Sequence, residues 1–194
     1  MQANKKEQIR ETAIRVFAAR GFHYSTTDRI AEEAGVSVGT IYNYFRNKEA
    51  ILEYIFQVEL EKRQQFFASL EGDQRPVRQL LTDFLRMHFQ AILDHPDVGQ
   101  ILIRERHFPQ LETLDFVVQF IQGVPQTIAA LLEKAVAGKQ IRPCQTAVVA
   151  AALFGAVEGV VREAMLRSDH AERDAILRRA PEELVTLFFQ GLEP

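Results

Sequence analysis

A chain of 194 residues, 47% hydrophobic and 25% charged, is long enough to build a packed core, and its single cysteine excludes an internal disulfide framework. The net charge of −3 excludes a uniformly basic chain, but eight Lys and Arg against five Asp and Glu put residues 1–48 at +3 and leave −6 for the rest. The polar start MQANKKEQIR has no signal-peptide core and the longest apolar run, Ala147 to Val157, is too short to span a bilayer, so a cytoplasmic chain with no membrane partner is expected.

In chain order, the first predicted helix runs from about Lys5 to Arg20, with Ile9, Ala13, Val16 and Phe17 on one stripe. The second covers Thr27 to Ala34. Ser25 or Thr26 can cap its start, and Ile30 and Ala34 share an inward face. Gly35 stands where a helix end needs a left-handed residue. Ser37 can cap a third helix, Val38 to Phe45, with Ile41 and Phe45 on its buried side. Gly39 and Asn43 then point away, flanked by Thr40 and Tyr42. A solvated face would carry Lys and Glu. Small residues, hydroxyls and an amide suit close approach to base edges and phosphates. Two helices around a glycine turn form a helix-turn-helix, whose second helix enters a major groove. Spacing alone also admits an ordinary helical hairpin.

Asn47 to Leu70 reads as one long helix, the natural lever between a small head and a larger body. Lys48 lies at its N-terminus, where the helix dipole favours an anion. EGDQRP is a turn, and Pro76 to Asp94 the next helix, ended by His95-Pro96. A short helix follows from Val98 to Arg106. The pattern from Leu111 to Ala137 should kink or break at Gly123 and Pro125. The last two helices are Gln145 to Arg167 and Pro181 to Leu192. The first of these is apolar nearly all round, with Ala151, Gly155 and Gly159 four apart, and demands partners on most sides. The fold class is therefore all-α: an N-terminal three-helix head over 1–47 and a C-terminal helical bundle over 48–194.

The five histidines include no pair at the spacing of a zinc helix, and the chain has no phosphate loop and no nucleophile elbow. No metal, cofactor or catalytic residue is expected, and no enzyme. The Phe-rich body suits a mostly apolar pocket. Phe84, Met87, Phe108, Phe116 and Phe120 are candidate liners, each of which also reads as plain core. His88, Arg104, Arg106, His107 and Glu158 are polar groups inside apolar stretches; of these His88, Arg104 and Glu158 are candidate ligand anchors, with a buried pair as the other reading.

The first quarter of the chain carries Ala13, Phe17, Gly21, Thr26-Thr27, Ile30-Ala31, Ala34-Gly35-Val36-Ser37, Gly39-Thr40-Ile41-Tyr42, Tyr44-Phe45 and Lys48-Glu49 in one order. This resembles the DNA-binding domain of the TetR family of bacterial transcriptional regulators. The resemblance implies a repressor of a palindromic double-stranded operator, with Thr27, Val38, Gly39, Thr40, Tyr42, Asn43, Tyr44 and Lys48 at the DNA. It also implies a homodimer through the last two helices, and a small effector in the body. AEEAGVSVGTIYNYFRNKEAIL, GKQIRP and LFGAVEG are similar to the members of that family that govern fatty-acid degradation, which implies acyl-CoA as effector. The apolar body by itself fits a hydrophobic drug equally. The alternative is a lipid- or drug-binding helical protein whose head no longer reads DNA.

Overall fold

The computed structural model describes residues 2–105 and 115–190. Among these residues it has nine α-helices and no strand: α1 (Gln2–Arg20), α2 (Thr27–Ala34), α3 (Val38–Tyr44), α4 (Lys48–Ser69), α5 (Val77–Asp94), α6 (Pro96–Arg104), α7 (Asp115–Ala137), α8 (Thr146–Met165) and α9 (His170–Gln190). The all-α class read from periodicity stands, together with the N-terminal helix-turn-helix and the helical C-terminal region.

Packing divides the chain into two compact units. One comprises Met1–Glu59 with Asp97–Val118, the other Leu60–Pro96 with Gln119–Pro194. The boundary expected near residue 48 falls at the first residue of α4, whereas the division cuts α4 between Glu59 and Leu60.

The first unit is built on the stripe of α1. Ile9, Ala13 and Phe17 are fully buried, and Phe22, Ile30, Ile41 and Phe45 close over them. Ile51, Leu52, Ile55 and Phe56 of α4 complete this core. Caps set the lengths of the short helices. The Thr26 hydroxyl accepts from the Arg29 N–H and opens α2; Gly35, at φ 63° and ψ 39°, closes it with its N–H turned back to Glu32 and Ala31. Ser37 opens α3 by accepting from the Thr40 N–H. Phe45 was expected inside α3 but takes an extended conformation as its C-cap, which drives the ring into the core. The side-chain carbonyl of Asn47 accepts from Ala50 N–H at 2.9 Å and starts α4.

In the second unit α9 packs on both α5 and α8. Leu80, Leu81, Phe84, Leu85, Phe89 and Ile92 form the buried face of α5. The helix expected to start at Pro181 starts instead at His170 and runs through the proline. A proline inside a helix removes one hydrogen bond and costs about 3 kcal/mol. Here Leu177, Pro181, Leu184 and Val185 are all buried on one stripe, and that burial offsets the loss. Of the kink or break expected at Gly123 and Pro125, a break is absent: Asp115–Ala137 is one continuous helix with Pro125 inside it. Gly123 faces Leu60: a Cβ at that position would lie 3.4 Å from the leucine side chain, an ordinary contact.

The α8 helix is buried along Ala150, Leu153, Val157, Val161 and Ala164. Its other side is open within one chain. Val148 is 67% exposed, Ala151, Ala152 and Gly155 are exposed, and a Cβ on Gly155 or Gly159 would meet nothing within 4 Å.

Candidate nucleic-acid interface

The outward side of α3 carries the groups singled out from its sequence. Gly39, Tyr42 and Asn43 are exposed, while Val38, Thr40, Tyr44 and, from α2, Thr27 are half-buried. Tyr42 keeps 54% of its surface in solvent, an unusual exposure for a large ring. Two hydroxyl pairs order the face. Tyr42 and Thr27 lie 3.4 Å apart and link α3 to the start of α2, and Ser37 and Thr40 lie 2.8 Å apart. No side chain rises from Gly39, so the backbone there is bare. The result is a short, rigid helix with hydroxyls and one amide outward, a shape that fits a groove about 12 Å wide.

Lys48, expected at a backbone phosphate, occupies a different place. Its ammonium donates to the Phe22 carbonyl at 2.8 Å and the Ser25 carbonyl at 2.9 Å, and lies 4.3 Å from the centre of the Phe22 ring. A hydrogen bond from a charged donor to a part-buried acceptor contributes roughly 1.5–3 kcal/mol. These two bonds let Lys48 brace the α1–α2 connection. Lys6 is also engaged within the unit, 3.7 Å from the Tyr54 ring centre.

Arg104 is placed differently from its expected ligand role. Its guanidinium reaches the C-terminal end of α1, donating to the Phe17 carbonyl and, at 3.2 Å, to the Ala18 carbonyl. It also donates to Glu105 at 2.8 Å. Glu105 is 0% exposed and accepts from the Phe22 N–H at 3.2 Å. Sequence reasoning missed Glu105. The pattern Arg-Glu-Arg-His reads as a solvated helix end, and nothing in it signals a buried carboxylate.

The other candidate pocket residues divide between the units. Phe116 packs against Phe56 in the first, ring centres 5.6 Å apart. Phe84, Met87, His88, Phe120 and Glu158 belong to the second. Phe84 and His88 stack at 6.3 Å, Arg63 lies 3.1 Å from His88 Nδ1, and the same guanidinium sits 5.4 Å from the Phe120 ring. Burial among these rings and the nearby Arg63 charge hold the His88 pKa well below its usual value, so the imidazole is neutral. Glu158 is half-buried on α8. Phe108, with Arg106 and His107, lies outside the described residues.

A cleft of about 630 Å³ opens in the second unit between the end of α4, the 71–76 turn and the end of α7. Phe67, Leu80 and Leu131 supply apolar wall, and Gln64 and Gln140 supply amides. Phe67 lies 4.5 Å from Phe84, so aromatic packing leads from the cleft wall toward the Arg63–His88 pair. A smaller groove of about 460 Å³ includes Met87, Leu177 and Pro181. Phe84, His88, Phe120 and Glu158 line neither cleft.

A capped α2, a left-handed glycine turn and an α3 with a polar, close-approach face define a helix-turn-helix DNA-binding protein. Residues 9–55 match the family model of bacterial regulatory proteins of the tetR family, and residues 74–162 match that of the tetracyclin repressor-like C-terminal domain. The chain belongs to the tetR family of bacterial transcriptional regulators, which are DNA-binding regulators and not enzymes. Among curated relatives, the uncharacterized HTH-type transcriptional regulator YerO of Bacillus subtilis is 34% identical over 110 residues, 55% of this chain and 37% of that one. The chain thus matches little more than a third of that relative's length. The fatty acid metabolism regulator protein of Bacillus subtilis is 29% identical over 141 residues, 71% of each chain. Among solved structures, the fatty acid degradation regulator FadR of Bacillus halodurans superposes with a TM-score of 0.83 at 24% identity, over 93% of this chain and 94% of that one. FadR of Bacillus subtilis in complex with stearoyl-CoA superposes with 0.79 at 25% identity, over 93% and 97%.

Proposed function

We propose that this regulator is a homodimeric repressor that binds a palindromic operator and is released by a long-chain acyl-CoA. The observation that carries the operator reading is the outward side of α3, with Gly39, Tyr42 and Asn43 exposed on a helix fixed by its Ser37 cap. In this reading Val38 to Tyr44 lies in a major groove. Thr40, Tyr42 and Asn43 meet bases or nearby phosphates, Gly39 allows the approach, and Thr27 and Tyr44 hold the backbone. Lys48 supports this surface from behind.

A head of net charge +3 binds one half-site weakly, so two heads on one duplex are needed. The open small-residue side of α8, together with exposed Leu187 of α9, supplies the apolar surface for a second copy. The half-sites then lie about 34–36 Å apart, or a multiple of that. Such a protein works in the cytoplasm, where it meets chromosomal DNA. For the effector, the support is the relative named as a fatty acid metabolism regulator and the neighbour solved with stearoyl-CoA; the second unit also holds an open cleft of about 630 Å³ with both polar and apolar walls. α4, which supplies residues to both units, is the proposed lever. A nearly complete switch needs the effector to favour the released state by roughly 10⁴-fold.

The test is fluorescence anisotropy of the whole protein with a duplex from upstream of its own gene and with a scrambled duplex, at about 0.15 M salt, where specific binding should be tighter by ~10³ or more. Palmitoyl-CoA should then release the operator and free CoA should not. Equal, weak binding to both duplexes over a random-sequence selection, with ligand stripped, would sink the operator reading. Operator binding indifferent to acyl chains of every length would sink the effector reading alone.

A further inference from the structure

The connection between α1 and α2 is held at one residue from two sides. The Phe22 N–H donates to Glu105, and the Phe22 carbonyl accepts from Lys48. The Phe22 ring packs edge-on to Phe17 at 5.3 Å. Ser25, the residue before the Thr26 cap of α2, accepts from the same lysine through its carbonyl and donates its hydroxyl to the Gly21 carbonyl at 2.7 Å. Arg104 takes the last carbonyls of α1 and orients Glu105 by a 2.8 Å hydrogen bond. A fully buried carboxylate is costly to desolvate, and one oxygen of Glu105 has no hydrogen-bond partner among the described residues. Core stability alone is poorly served by such a group, because an apolar residue of the same size packs more favourably. What the carboxylate and guanidinium supply is direction. Together they fix where α1 stops and at what angle the chain leaves toward Thr26 and Thr27.

We propose that Arg104 and Glu105 are positioning residues for operator reading: from the end of α6 they hold the α1–α2 connection so that Thr27 and the outward side of α3 present one fixed geometry to DNA. They touch no base and no phosphate themselves. The proposal rests on the operator reading above, and it assigns a DNA-recognition role to a segment about sixty residues downstream of the helix-turn-helix.

The experiment compares wild type, Glu105→Gln and Glu105→Ala, each as the whole protein, on operator and scrambled duplexes. Glu105→Gln keeps a carbonyl for the Phe22 N–H and should retain operator preference. Glu105→Ala removes that acceptor, and the ratio of operator to scrambled affinity should fall about tenfold or more. Non-specific affinity and oligomeric state should not change. A Glu105→Ala protein with the full wild-type ratio overturns the proposal, and so does a parallel loss on both duplexes. If Glu105→Ala fails to fold, hydrogen exchange at the Phe22 amide of the wild type decides. Protection like that of the α1 core amides supports the clamp, and exchange at the rate of an open loop overturns it. A wild type with no operator preference would instead remove the operator reading itself, a separate outcome.

Discussion

At the scale of single residues, the polar groups most worth explaining are those whose neighbours changed their reading. Thr40 and Tyr42, proposed to meet the operator, lie on a capped helix, Tyr42 exposed and Thr40 half-buried. Changing both to Ala should leave melting temperature and oligomeric state unaltered and should abolish the preference for operator over scrambled duplex. Retained preference would remove α3 as the reading helix. Lys48 and Arg104 could not have been placed from sequence. Each is a cation near a helix end, and only the fold brings the backbone carbonyls of the 17–25 segment within reach to accept their hydrogen bonds. His88 gives a prediction with a definite sign. Desolvation first, and Arg63 second, depress its folded pKa below the ordinary 6.5. Its contribution to stability is therefore complete above about pH 6.5 and is lost as pH falls toward the lower folded value. Urea midpoints should be flat from pH 8 to 7 and decline below 6.5; in His88→Gln the part of that decline due to this group should be absent.

At the scale of elements, α2 and α3 were legible because several local signals agree: a Thr cap, a left-handed glycine, a Ser cap and a two-residue apolar face. The α9 helix was legible only in its second half. SDHAERDAILRR looks like a solvated loop before a proline, and its one deep apolar group, Leu177, finds its stripe only across Pro181. The Asp169 side chain caps this helix start by accepting from the Ala171 N–H at 2.7 Å, a signal present in the sequence but outweighed by the proline. For α8 the apolar circumference was plain in the sequence, and the side left open in one chain was not. Gly155→Leu adds four carbons at a position where a Cβ would meet no other part of the described chain within 4 Å beyond its own helix backbone and chain neighbours, so the single chain should fold normally. If that side is the homodimer interface, light scattering should find the variant shifted to monomer and its operator affinity reduced. An undisturbed dimer would move the interface elsewhere.

At the scale of the whole molecule, the first compact unit is discontinuous: residues up to Glu59 are joined by Asp97–Val118. In evolutionary terms the DNA-reading part is then not a free-standing cassette. Residues 1–47 make up the motif, yet the walls that enclose it, Ile51 to Phe56 and the Arg104–Glu105 end of α6, come from chain written later. A fragment of residues 1–47 should show partial helicity by circular dichroism and no cooperative thermal transition, and adding residues 48–59 should restore helix while leaving the Phe22 amide without its acceptor. Exchange of heads between relatives by recombination at a single crossover should therefore yield proteins that fold and bind DNA loosely. A recombinant that also carries the matching segment around 97–105 should recover selectivity, so inheritance of operator choice in this chain would travel in two pieces of gene rather than one.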